Sequence, residues 1–146
     1  MSDLLLMCRI AGRRAAIAAR DIQSVIEIEE ITPIPATPPH IAGLTALRSQ
    51  ALTVIDCRVA LGFEPAEGIV GARAAVVEQE GHLYALVVDE AYDVGEALSS
   101  PRDVPGGFGP GWQHAATGLV ETADGPTLAI AIDRIIEGTV ATPAAA

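Results

Sequence analysis

The chain has 146 residues, half of them hydrophobic, and 9 basic residues stand against 19 acidic ones for a formal net charge of −10. Every basic residue is an arginine; the lack of lysine excludes a GxxxxGK phosphate loop and a Schiff-base enzyme, and the acidic balance opposes nucleic acid, whose phosphates need clustered cations. The length allows one domain or two very small ones, and with aromatics at only 3% the core has to be built from Ala, Val, Ile and Leu.

The start, Met1-Ser2-Asp3-Leu4-Leu5-Leu6, has no basic segment and only a short apolar run, unlike a secretory signal. No stretch reaches the roughly 18 apolar residues of a membrane span, so a cytoplasmic protein without direct membrane insertion is expected. Short apolar runs bounded by Gly, Pro, Asp or Ser then predict strands at residues 4–10, 14–19, 23–28, 43–47, 52–55, 72–78, 82–89, 115–121 and 127–132, the pattern of a small barrel or sandwich. Asp124-Gly125 between two apolar runs predicts a hairpin. Short helices are expected at 39–42, 57–61 and 133–136, with Asp56 and Asp133 as N-caps. Thr32–Pro39, with four prolines, should be extended and stiff. Residues 99–111, rich in Pro and Gly, should form a long loop, and residues 139–146 a flexible tail.

The order of elements occurs twice. At an offset of 69, Gly12 falls on Gly81, Ala16 on Ala85, Val25 on Val94 and Glu27 on Glu96. Gly43-Leu44 leading to Val54-Ile55-Asp56 is matched by Gly118-Leu119 leading to Ala131-Ile132-Asp133. The chain therefore reads as two similar halves, residues 4–70 and 72–138, between which strands can be exchanged.

No catalytic set emerges. Cys8 and Cys57 lie in apolar runs without metal-ligand spacing and read as buried reduced thiols. His40, His82 and His114 share no ligand spacing. Asp89, Glu90 and Asp93 follow a strand in the way a receiver domain's acidic pocket does, but without the phosphoacceptor order or the lysine. Gly106–Gly111 is not a dinucleotide fingerprint, since Pro110 and the following Trp112 are not expected to open a helix after a strand. A binding module that is not an enzyme, with no cofactor, is the expectation.

The segment from Ile17 through Asp21-Ile22-Gln23-Ser24-Val25-Ile26-Glu27 to Ile31-Thr32-Pro33-Ile34-Pro35, then Pro38-Pro39-His40-Ile41-Ala42-Gly43-Leu44, Leu47-Arg48 and Leu52-Thr53-Val54-Ile55-Asp56-Cys57-Arg58, closely resembles the CheW family, adaptors that couple chemoreceptors to a histidine kinase. Leu86-Val87-Val88-Asp89, Thr117-Gly118-Leu119 and Asp133-Arg134-Ile135-Ile136 agree. The resemblance spans about residues 4–138. It implies a mainly β fold of two packed five-stranded barrels with short helices. It also implies two partners, the regulatory domain of a chemotaxis histidine kinase and the cytoplasmic tip of a chemoreceptor, the latter in the groove between the barrels. Arg48 matches the family's groove-facing arginine and is the receptor-binding candidate. Leu47, Asp56, Arg58 and Asp89 are motif positions whose role the resemblance leaves open. The family's Asn-x-Arg-Gly is here Ala46-Leu47-Arg48-Ser49, and its following Pro is Thr53. A divergent scaffold or kinase regulator with another signalling partner is the second reading. An apolar surface patch is expected at one barrel's end for the kinase.

Overall fold

A strand such as Leu4-Leu5-Leu6-Met7-Cys8, apolar at every position, has to be covered on both faces. The computed structural model, which describes residues 3–138, does this with two five-stranded sheets packed on one another. The strands are β1 (Leu4–Ile10), β2 (Arg13–Ala18), β3 (Ile22–Glu27), β4 (Ile41–Leu47), β5 (Gln50–Asp56), β6 (Arg73–Gln79), β7 (His82–Val88), β8 (Glu90–Glu96), β9 (Ala116–Thr122) and β10 (Gly125–Ile130). Three short helices, α1 (Cys57–Ala60), α2 (Pro110–Ala115) and α3 (Ile132–Glu137), complete the fold.

The first sheet has the order β8-β1-β2-β10-β9 and the second β3-β6-β7-β5-β4. Each contains one parallel pair, β2 with β10 and β5 with β7. The sheets therefore do not coincide with the linear halves. The hairpin that opens each half is built into the sheet completed by the other half. The chain crosses between sheets through a 3₁₀ turn at Ala19–Asp21 and again at Asp89, between β7 and β8.

Side chains alternate across each strand. Leu6, Cys8, Ala15 and Ile17 meet Ile55, Ala75, Val77, Leu86 and Val88 in the core between the sheets, together with Trp112 and Ile135 from the helices. The opposite faces close two smaller cores, with Leu5, Met7, Ala16 and Val120 in the first sheet and Ile28, Leu52, Val54, Val76 and Val87 in the second.

The edge strands of a sheet do not pair with each other as strands. The segment following one edge reaches the opposite edge instead. After β3, Thr32 exchanges two backbone hydrogen bonds of 2.8 Å with Leu44 of β4. After β8, Arg102 does the same with Leu119 of β9, at 3.0 and 2.8 Å. The expected barrels are thus sheets whose ends are joined by one isolated bridge each. The repeated Gly-Leu pairs lie at these bridges. A Cβ on Gly43 would stand 2.4 Å from the Thr32 carbonyl oxygen, and one on Gly118 2.8 Å from that of Arg102.

The structure corrects several local expectations. Residues 39–42 form a turn and the start of β4 rather than a helix, since Ile41 pairs with Ile55. Ala131 caps α3, and Asp133 sits in its first turn without a side-chain cap bond. The expected loop at 99–111 holds a 3₁₀ turn at Gly106–Phe108 and the start of α2, opened by Pro110. β8 was not expected from its acidic sequence. Its strand state comes from pairing with β1. Asp124-Gly125 does end a hairpin, with Thr122 opposite Gly125. The flexible tail expected at 139–146 lies outside the described residues.

Candidate functional site

The five motif positions fall in two separate places. Leu47 and Arg48 lie at the β4–β5 hairpin, whereas Asp56, Arg58 and Asp89 gather at the other end of β5, roughly 20 Å away at about 3.4 Å per strand residue.

Asp56 is buried, at 4% exposure. One carboxylate oxygen accepts from the Arg58 backbone N–H at 3.0 Å, capping α1, and the other accepts from that of Ala66 at 3.1 Å. The Arg58 guanidinium donates to the Glu64 carbonyl at 3.0 Å and pairs with Asp89 at 3.1 Å. Asp89 in turn accepts from the Gly12 N–H at 3.0 Å, and its own N–H donates to the Arg9 carbonyl at 2.8 Å. Asp89, held by Arg58, ties the first-sheet hairpin to the end of the second sheet where the chain crosses, and Asp56 fixes the α1 turn that carries Arg58. Asp56→Ala removes a cap and leaves the Ala66 N–H without its acceptor, so a loss of about 2 kcal/mol is expected, read as a lower midpoint in urea with unchanged slope.

Arg48 does not pair with Asp56. It is exposed at the hairpin tip and makes no ion pair among the described residues. With Leu47 it borders a cleft of about 430 Å³ that Glu27, Glu29 and Glu30 also line. Leu47 is paired with Gln50, and the two residues between have φ of +54° (Arg48) and +70° (Ser49), the signs a type I′ turn requires. Ser49 thus adopts the backbone that a glycine would take without strain. Ser49→Gly is expected to stabilise the fold by about 1 kcal/mol, a rise of roughly 2–4 °C in Tm.

A different surface emerges from register. Each sheet carries a bulge in its outer pair, between Ile22 and Ser24 of β3 and between the partners of Leu6 and Cys8 on β8. The result is the same in both. Val25 lies opposite Ala75 and Val94 opposite Leu6, and both partners belong to the core between the sheets. Val25 and Val94 therefore face the seam between the sheets, yet they are 40% and 53% exposed. Leu4, on the same face as Leu6, is 54% exposed. β8 approaches β6 across this seam. Tyr92 and Leu98 extend the exposed apolar set along the same edge of the first sheet. The repeat at offset 69 had aligned Val25 with Val94, but the strand face that carries them is visible only from the pairing.

Among the described residues no group of three or more His, Cys, Asp or Glu is placed to hold a metal ion. Cys8 and Cys57 are free and buried. Burial, with the Asp89 charge second, pushes the Cys8 thiol up to about 12, and burial also raises Cys57 well above the ordinary thiol range. Both are poor nucleophiles. The sign for stability follows. The unfolded thiols ionise above about pH 9 and the folded ones do not, so the stability they contribute is complete below that pH and is lost as pH rises toward 12, by about 1.4 kcal/mol per unit for each thiol. Urea titrations from about pH 8 to pH 11 are expected to show a shallower decline for Cys8→Ala than for the parent.

Two packed five-stranded sheets with an apolar seam left exposed present the kind of surface a protein-binding module uses. The CheW-like domain model matches residues 4–139, and the chain belongs to that family. Chemotaxis protein CheW of Bacillus subtilis (strain 168) is 27% identical over 107 residues, covering 70% of this chain and 69% of that protein. The crystal structure of scaffolding protein TtCheW from Thermoanaerobacter tengcongensis has the same fold, with a TM-score of 0.76 at 24% identity over 90% of this chain and 86% of that one. No helix of the described residues is long and apolar enough to cross a membrane.

Proposed function

We propose that the protein is a non-catalytic chemotaxis adaptor that joins a chemoreceptor's cytoplasmic tip to the regulatory domain of a histidine kinase. The observation that carries this reading is the pair Val25 and Val94, equivalent in the repeat and both exposed on the seam between the sheets of a CheW-family chain. A helical hairpin laid along that seam would cover them, a recognition mode in which affinity comes from buried apolar area. Arg48 is the polar candidate for the same partner. Its guanidinium carries no ion pair among the described residues and can fork onto a receptor carboxylate or carbonyl.

Pull-downs with a receptor-tip fragment and, separately, with the kinase regulatory domain test this function. Capture of both supports it, and capture of neither rejects it. Arg48→Ala is expected to weaken receptor-tip binding at least tenfold, about 1.4 kcal/mol, with kinase binding and Tm unchanged. Equal receptor affinity in parallel titrations would remove Arg48 from the interface.

A further inference from the structure

Arginine is scarce in this chain, 9 against 19 acids, yet three of the nine stand on one hairpin. Arg9 is the penultimate residue of β1, and Arg13 and Arg14 open β2. Arg9 and Arg14 are directly opposite one another, an arrangement of like charges that destabilises a strand pair. Arg9 faces Glu90 across the β1–β8 pairing. Arg13 and Arg14 are exposed and enter no ion pair among the described residues. Arg14 reaches only the Pro126 carbonyl, at a long 3.4 Å. Arg13 lies over the Phe108 ring at 4.6 Å, which holds its guanidinium in one place.

The three arginines border a cleft of about 230 Å³ whose other walls include Phe108, Leu119 and Leu128. No acidic residue lines it; Asp89 and Glu90 engage only its Arg9 side, through the Gly12 N–H and the strand position opposite Arg9, and leave Arg13 and Arg14 without an acid partner among the described residues. The hairpin belongs to the first sheet, whereas Val25 and the Arg48 hairpin belong to the second.

From this juxtaposition we propose that the Arg9–Arg13–Arg14 cleft is a docking surface for an acidic segment of a partner protein, one in which carboxylate side chains alternate with an apolar residue. Guanidinium forks match carboxylates in pairs, and the apolar walls accommodate an aliphatic side chain beside them. The mixed lining distinguishes such a segment from a simple anion, which would leave the accessible Phe108 and Pro126 unused. An extended polyanion or an anionic bilayer is opposed by the net charge of −10, whereas a short segment meets mainly the charges within about 8–10 Å at physiological salt.

The test is fluorescence anisotropy with a labelled hexapeptide, Glu-Leu-Glu-Glu-Leu-Glu, and its Gln-for-Glu analogue. The parent is expected to bind the acidic peptide at least tenfold more tightly than the analogue, and to lose affinity between about 50 and 300 mM salt as the Debye length shortens. The double variant Arg13→Gln/Arg14→Gln should weaken binding at least tenfold with unchanged Tm. Arg20→Gln/Arg73→Gln, which removes two exposed arginines elsewhere, should leave it unchanged. Absence of peptide binding, or equal affinity in the two double variants, overturns the proposal. Displacement by an equal concentration of inorganic phosphate would assign a simple anion site in its place. Self-association of the parent in sedimentation, lost in Arg13→Gln/Arg14→Gln, would assign the cleft to a second copy and overturn the separate partner.

Discussion

Replacing Val25 and Val94 together by glutamate is expected to reduce receptor-tip affinity at least a hundredfold while leaving the melting temperature within a few degrees of the parent. Both side chains are already about half in water, so their loss removes little folding energy, and surface changes of this kind usually fall within ±0.5 kcal/mol. Under the proposed function, binding buries what folding leaves exposed. Each valine then contributes up to about 1.5 kcal/mol of further burial, and a carboxylate trapped beneath a helix adds the larger penalty of an unpaired buried charge. A hundredfold loss is about 2.8 kcal/mol, within reach of the two apolar terms alone. The single variants should divide the effect, because the two valines lie on different sheets. Titration of the receptor tip against parent, single and double variants reads the result. Unchanged affinity in the double variant would place the receptor elsewhere on the molecule, and a large fall in Tm would mean that the seam is core.

A large loss of stability is expected for Gly43→Ala, about 3–5 kcal/mol. Two penalties coincide there. The backbone has φ of +151°, and the new Cβ would lie 2.4 Å from the Thr32 carbonyl oxygen. That oxygen accepts the Leu44 N–H in the bridge joining the ends of the second sheet, so it cannot retreat without breaking the bridge. Gly81→Ala is the control. Its φ of +83° is also positive, but a Cβ there meets nothing within 4 Å, and about 1 kcal/mol is expected. At roughly 2–4 °C per kcal/mol for a chain of this size, calorimetry should find Gly43→Ala lower in Tm by about 10 °C and Gly81→Ala by about 3 °C. Similar shifts for both would show that backbone conformation alone decides, and that the bridge contributes nothing.

How legible the site was depends on the residue. Asp56 was readable as a cap because an Asp before Cys57-Arg58-Val59 satisfies a local rule, and its bond to the Arg58 N–H spans only two positions. Arg58 and Asp89, 31 positions apart, carry no such local signal, and their ion pair exists only because β5 and β7 run parallel side by side. Arg48 could be matched to a motif, but whether it met Asp56 depended on the length of β5, which sets them at opposite ends. Helix α2 escaped notice because Gly109, Pro110 and Gly111 read as breakers. The helix is held by Trp112, fully buried in the core between the sheets.

The strand pattern outside β8, the repeated order of elements and the two buried thiols were determined by the sequence itself, since alternation, turn residues and residue chemistry act over a few neighbouring positions. Which hairpin joined which sheet was decided by the tertiary structure. The two opening hairpins are near-equivalents, β1–β2 and β6–β7, and local preferences do not distinguish pairing within a half from pairing across halves. That choice is made by long-range strand pairing and by burial of the core between the sheets. With it came the exposure of Val25 and Val94 on the seam, the acid-free arginine cleft and the clasp of Asp56, Arg58 and Asp89, because each is assembled from strands that meet only after the exchange.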